Sequence, residues 1–156
     1  MASSNYIQKI FAADEVAGSV DLGEGSTQDS NRNQVEIFLA SEAITAGALV
    51  SLDLSQTTNG EKLFIIAEAD ATDACPIGVA VSAIAENAKG EVVIKGIVEE
   101  ALTNGSATPI AVGDALTFSA DGKLVKKAAA NEPECAVALE AQAADGTSRV
   151  YVLKRF

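Results

Sequence analysis

Ile44-Thr45-Ala46-Gly47-Ala48-Leu49-Val50-Ser51-Leu52 and Ile110-Ala111-Val112-Gly113-Asp114-Ala115-Leu116-Thr117-Phe118 are two versions of one phrase. Each opens on an isoleucine, places a glycine three positions later and runs on into a short apolar stretch. Three further matches follow in the same order. Gly60-Glu61-Lys62-Leu63 aligns with Gly122-Lys123-Leu124-Val125, and Cys75-Pro76-Ile77-Gly78-Val79-Ala80 aligns with Pro133-Glu134-Cys135-Ala136-Val137-Ala138. Gly90 and its strand through Ile94 then match Gly146 and the strand through Val152. Each unit reads as an opening strand, a hairpin, a bridging segment, a third strand, a turn and a fourth strand. Chance similarity among Ala-, Val- and Gly-rich strands is the competing explanation, and four matches in a common order weigh against it.

Outward from these phrases the strand signals continue. Val35-Glu36-Ile37-Phe38-Leu39, Ala48–Leu54, Lys62–Ala67, Pro76–Val81 and Glu91–Val98 are β-branched or alternating runs. Ala115–Phe118, Lys123–Val125, Ala136–Leu139 and Val150–Leu153 repeat the style. Asn59-Gly60, Lys89-Gly90, Asp121-Gly122 and Asp145-Gly146 read as tight turns between them. No stretch keeps a helical apolar stripe over 12 residues; short helical turns are expected at most around Thr72–Cys75 and Ala128–Asn131. The expected fold is all-β: a compact β-barrel or sandwich of about eight short strands built from two weak repeats (residues 40–100 and 106–156), with an extended N-terminal arm. The domain division is an arm over residues 1–34 and a barrel-like domain over 35–156.

The arm is set apart by composition. Asp21-Leu22-Gly23-Glu24-Gly25-Ser26-Thr27-Gln28-Asp29-Ser30-Asn31-Arg32-Asn33 is rich in turn formers and poor in apolar residues. Ahead of it stands a short apolar patch, Tyr6-Ile7-Gln8-Lys9-Ile10-Phe11. Tyr6, Ile7, Ile10 and Phe11 are the candidate partner-binding residues, because apolar and aromatic groups carry most interface energy. Packing of the same patch on its own domain as a first strand is the alternative.

Composition excludes several classes of function. The 156 residues include no His, so Ser-His-Asp and Cys-His nucleophile systems, His-ligated zinc and an imidazole proton shuttle are absent. A net charge of −11 argues against nucleic acid as a partner, which demands a basic face. Apolar runs are too short for a membrane span or the core of a signal peptide. A chain of this size buries about 68% of its surface, enough for one self-sufficient core. The charge is uneven: residues 41–100 hold ten acids and three bases, whereas residues 101–156 hold six of each. Two cysteines are too few for a disulfide scaffold; Cys75 and Cys135 read as buried free thiols, with a single disulfide as the alternative.

No catalytic constellation emerges. Gly23-Glu24-Gly25-Ser26 lacks the Lys-Ser/Thr of a phosphate cradle. Glu68, Asp70 and Asp73 could hold Ca²⁺ with backbone carbonyls, but they lack a Gly-centred loop and read as a solvated acidic segment. A carboxylate pair for glycoside hydrolysis would need sugar-stacking aromatics, and the chain has no Trp. Lys126-Lys127 and Lys154-Arg155 are partner contacts or, more simply, solvated pairs. No metal and no cofactor is expected.

The Ile44–Val50, Pro76–Val81 and Glu91–Val98 runs, with second copies at Ile110–Phe118 and Glu134–Leu139, resemble the small Ala/Gly/Val-rich head-decoration (cement) proteins of tailed bacteriophages. The resemblance covers residues 40–156 loosely and leaves the arm uncovered. It implies a β-barrel-like fold, a homotrimer at three-fold or quasi-three-fold positions, and a capsid-stabilising structural role in which neighbouring major capsid subunits are clamped. It implies a place on the capsid exterior of the virion, synthesis in the host cytoplasm, and no enzyme activity. Another virion module, such as a fibre, spike or adhesion domain, is the alternative.

Overall fold

The computed structural model describes residues 33–70, 75–119 and 121–153. Among them, nine strands and one helical turn follow in the order β1 (Gln34–Ala40), β2 (Leu49–Leu52), α1 (Asn59–Lys62), β3 (Ile65–Glu68), β4 (Pro76–Ala80), β5 (Lys89–Asn104), β6 (Ala115–Phe118), β7 (Leu124–Lys126), β8 (Ala136–Ala138) and β9 (Asp145–Val152). No helix among the described residues is long and apolar enough to cross a membrane.

The strands close two five-membered rings. In the first, the order β1-β3-β2-β4-β5 returns to β1; in the second, β5-β7-β6-β8-β9 returns to β5. Corresponding pairings match one for one. Ala40 pairs with Ile66 in parallel as Thr103 does with Leu124. Leu52 faces Ile66 as Phe118 faces Leu124, and Val50 faces Gly78 as Leu116 faces Ala136. Even the isolated bridges recur, Ile44 with Ile84 and Ile110 with Gln142. The 16-residue β5 belongs to both barrels. Its first half pairs with β1 and β4, and from Gly96 onward it pairs with β9. Ring closure removes most free sheet edges.

The abundance of alanine follows from ring size. Five-stranded barrels are narrow, and barrel diameter grows with strand number. Ala40, Ala48, Ala80, Ala101, Ala136 and Ala138 are all 0% exposed. Larger fillers are rationed to one or two per strand: Phe38, Val50, Ile66 and Val92 in the N-terminal barrel, and Leu116, Leu124, Val150 and Val152 in the C-terminal one. Each such side chain contributes about 1.5–3 kcal/mol through burial. Gly90 pairs with Phe38, and a Cβ there would lie 2.2 Å from Ile84 Cδ1, so the smallest residue lets two large ones share one layer. Leu49, Ala69 and Val79 come from the first half but belong to the C-terminal cluster, which joins the two barrels through apolar contact.

Several local expectations change. The strand count is nine rather than about eight, because the segment Val35–Leu39 is itself the opening strand of the first unit and β5 doubles as the opening strand of the second. Asn59-Gly60 starts a helical turn rather than a hairpin: Thr58 Oγ1 accepts from Glu61 N, and Glu61 Oε2 accepts from Thr58 N. This reciprocal capping box overrides the turn preference of Asn-Gly. The strand therefore begins at Ile65, and Ile66, not Leu63, is the counterpart of Leu124. Lys89-Gly90 and Asp145-Gly146 lie inside strands, because closing the rings draws them into pairing with Leu39, Phe38, Asn104 and Thr103. Residues 128–132 form a turn in which the Glu132 carboxylate accepts from Ala128 N and Ala129 N, and Glu132 N donates to Ala129 O. The expected turn near Thr72–Cys75 falls mostly outside the described residues.

Candidate interaction surface

Several groups that could carry chemistry are engaged in structural roles. Glu68 Oε1 accepts from Thr45 N and Glu42 Oε1 accepts from Glu68 N, so these carboxylates tie β3 to the crossover before β2. No cluster of three or more potential metal ligands occurs among the described residues. Neither Cys75 nor Cys135 is in a disulfide; Cys135 is buried and Cys75 half-buried. On the C-terminal barrel, Lys126 bonds Asp114, Lys123 bonds Asp145 and Arg149 bonds Glu99. The Lys126 ammonium, helped by Ala111 N, holds the Asp114 carboxyl below its usual range, and Asp145 raises Lys123. Lys126 thus answers a neighbouring carboxylate of its own barrel; Lys154-Arg155 lie outside the described residues.

The feature left without an internal partner is apolar. Val35, Ile37, Leu54, Leu63, Phe64 and Val81 are 44, 64, 49, 61, 64 and 50% exposed. The register brings them together. Ile37 pairs with Glu91, whose carbonyl accepts from Val81 N, so Val81, Glu91 and Ile37 lie in one row across β4, β5 and β1. On the other flank of β1, Leu39 N donates to Phe64 O, which sets Leu63 and Phe64 beside Ile37. Asp53 N donates to Ile65 O, so Leu54 follows on the same side. Strand β1 pairs with β3 only at Leu39 and Ala40, and on that flank Gln34–Phe38 has no strand neighbour among the described residues. Exposed apolar residues gathered on one strand and the connections beside it mark a candidate interaction surface.

Three polar devices hold this region in shape. Asp53 Oδ1 accepts from Ser55 N and Oγ, and Oδ2 accepts from Gln56 Nε2 at 2.6 Å. The Ser55 hydroxyl is the main cause that lowers the Asp53 pKa; burial opposes it and Gln56 reinforces it. The Thr58–Glu61 box then starts α1 and delivers Leu63 and Phe64 to the surface. At the head of β1, Asn33 clamps β5: its Oδ1 accepts from Ile97 N at 2.8 Å and its Nδ2 donates to Ile97 O at 3.0 Å.

The C-terminal barrel serves as an internal comparison. The pairing partner of Ile37 is Glu91, and the residue that corresponds to Glu91 is Arg149, ion-paired with Glu99. Where the N-terminal barrel has the 53–64 connection, the C-terminal one has only a short turn through Asp121-Gly122. The exposed apolar surface is therefore a property of one repeat and not a requirement of the fold.

Tyr6, Ile7, Ile10 and Phe11 lie outside the described residues. Ile37, Leu63 and Phe64 were legible only as strand residues. The available signal was that Val35, Ile37 and Leu39 are apolar although Phe38 and Ala40 supply an apolar face on the alternate set, as befits a strand covered on both sides.

The described residues thus form a closed double barrel that exposes apolar side chains on its N-terminal half. The sequence of residues 28–154 matches the family model described as phage cement protein, and the chain belongs to that family. It is a structural virion protein. No curated protein matches it in sequence. Among solved structures, the N base of the head fiber gp8.5 of bacteriophage phi29 is similar in fold, with a TM-score of 0.52 at 20% identity, over 78% of this chain and 95% of that one.

Proposed function

We propose that the protein is a non-enzymatic cement subunit that binds the exterior of a phage capsid as a homotrimer and clamps neighbouring major capsid subunits. Membership of the cement family over residues 28–154 is the observation that carries this reading. The patch at Ile37, Leu63 and Phe64 supports it, since association requires a desolvated apolar centre. The residues ahead of Asn33 act as an extended arm, with Tyr6, Ile7, Ile10 and Phe11 as anchors on a neighbouring subunit. The protein is made in the host cytoplasm and needs no cofactor. The test is co-sedimentation of the full chain with undecorated capsids: saturable binding is expected, and its absence at micromolar protein overturns the proposal.

A second reading is favoured by the fold similarity to a head-fibre base: the chain would be the capsid-attached base of a projecting structure. A cement raises the temperature at which the shell ruptures, whereas a fibre base binds and leaves that temperature unchanged.

A further inference from the structure

The two barrels of one chain already show how such a unit docks on another. The C-terminal barrel receives the N-terminal one on a face made by its β6–β7 turn and the second half of β5. There Leu49 N donates to Gly122 O at 2.7 Å, Gly122 N donates to Ala69 O at 2.9 Å, and Leu102 N donates to Gly47 O at 2.8 Å. The N-terminal barrel contributes the Ala46-Gly47 turn together with Leu49 and Val79, 1% and 0% exposed.

Both faces recur on the far sides of the two barrels, with no strand seated on them among the described residues. The counterpart of the receiving face is the β2–β3 connection and β1 of the N-terminal barrel, which is the patch of Val35, Ile37, Leu54, Leu63 and Phe64. The counterpart of the contributed face is the Val112-Gly113 turn with Ala115 and Val137 on the C-terminal barrel. Val112 is 67% exposed, and it is the only exposed large hydrophobic residue of that barrel among the described residues. Gly47 and Gly113 adopt the same left-handed backbone, φ +76° and +86°. A Cβ on Gly47 would stand 2.1 Å from Glu100 O, whereas one on Gly113 meets nothing within 4 Å. One turn is seated, and its twin faces open space among the described residues.

From this repetition we infer that copies of the chain associate head to tail, the Val112-Gly113 turn of one copy seating on the Ile37–Leu63–Phe64 face of the next. The occupant of the patch is thus a second copy of this chain. Charge agrees: residues 41–100 carry ten acids and three bases and residues 101–156 six of each, so head-to-tail contact spares two acidic barrels from meeting. A contact of this heterologous kind closes into a ring when its rotation permits. The longer 53–64 connection replaces the tight Asp121-Gly122 turn, which widens the seat and makes it more apolar. The role of the contact rests on the self-association proposed above; its geometry rests on the repeat.

The test is disulfide trapping between full-length chains that carry Cys75→Ser. One chain bears Val112→Cys and the other Phe64→Cys, each at an exposed position. Mixed under mild oxidation, they are expected to give a product of two 15.9 kDa chains, about 32 kDa, that neither variant gives alone. Ile37→Asp on the Phe64→Cys chain is expected to lower its yield at least tenfold. Self-linking of Phe64→Cys overturns the inference in favour of a face-to-face dimer. Trapping of Phe64→Cys by Ile10→Cys instead of Val112→Cys overturns it in favour of the N-terminal segment, and no trapping overturns it outright. Capsid co-sedimentation of the wild type is read separately: binding without trapping removes only the head-to-tail contact, and trapping without binding removes only the capsid role.

Discussion

Gly47→Ala and Gly113→Ala make the same chemical change at corresponding positions, yet they should differ in cost by 2 kcal/mol or more. Both glycines hold a left-handed φ, so each alanine incurs about 1–2 kcal/mol of backbone strain. At Gly113 that is the whole effect in an isolated chain, because the new methyl enters open space. At Gly47 the methyl would lie 2.1 Å from the Glu100 carbonyl oxygen and 3.3 Å from Leu102 N, both backbone atoms that cannot swing aside. Relief requires the two barrels to part, which breaks the Leu102–Gly47 hydrogen bond, about 1 kcal/mol. It also loosens the buried seat of Leu49 and Val79, where partial exposure adds about 1 kcal/mol or more. Gly47→Ala should therefore cost at least about 3 kcal/mol and Gly113→Ala about 1–2. Urea denaturation at a protein concentration below that of self-association measures both, and heating should show a gap of about 6 °C or more. Equal losses would refute the account of how the barrels dock.

Other consequences are smaller or simpler to read. Ile66→Ala and Leu124→Ala remove corresponding, fully buried fillers and should each cost about 2–5 kcal/mol in urea melts. Since β5 is common to both barrels, each variant should still unfold in a single transition; two separated transitions would show that the barrels melt independently. The Asp53 pKa is depressed in the folded chain, so its stabilisation of the 53–56 segment is complete above the ordinary carboxylate value near 3.8 and fades as pH falls through the lower folded value. Amide exchange at Ser55 should thus be faster in Asp53→Ala than in wild type at pH 6, with the difference vanishing once the pH has fallen below the lowered folded value. A difference that persists in acid would contradict the assignment.

The repeat was readable where local sequence carries the pairing and obscure where closure does. Ile44–Leu52 and Ile110–Phe118 align in sequence and occupy the same place in their barrels, and the Pro76–Ala80 and Pro133–Ala138 segments keep the same register. Asn59-Gly60 misled because the capping partners, Thr58 and Glu61, lie just outside the dipeptide and reverse its preference. Lys89-Gly90 and Asp145-Gly146 misled because their partners are β1 and the far half of β5, which no local window contains. The sharing of β5 depends on Glu91–Val98 running on through Glu99-Glu100, two carboxylates that break the apolar alternation at a register shift between Val98 and Ala101. The apolar patch was hidden for a related reason. Ile37 and Phe38 look equally suited to a core, and only the register tells which of them faces outward.

The measurement that bears most directly on the cement assignment is the thermal rupture of undecorated capsids with and without the full chain. Saturating protein should raise the rupture temperature by several degrees, and Phe64→Asp or Ile37→Asp chains that fold normally should raise it less. A rupture temperature that does not move while the protein is demonstrably bound would contradict a cementing role.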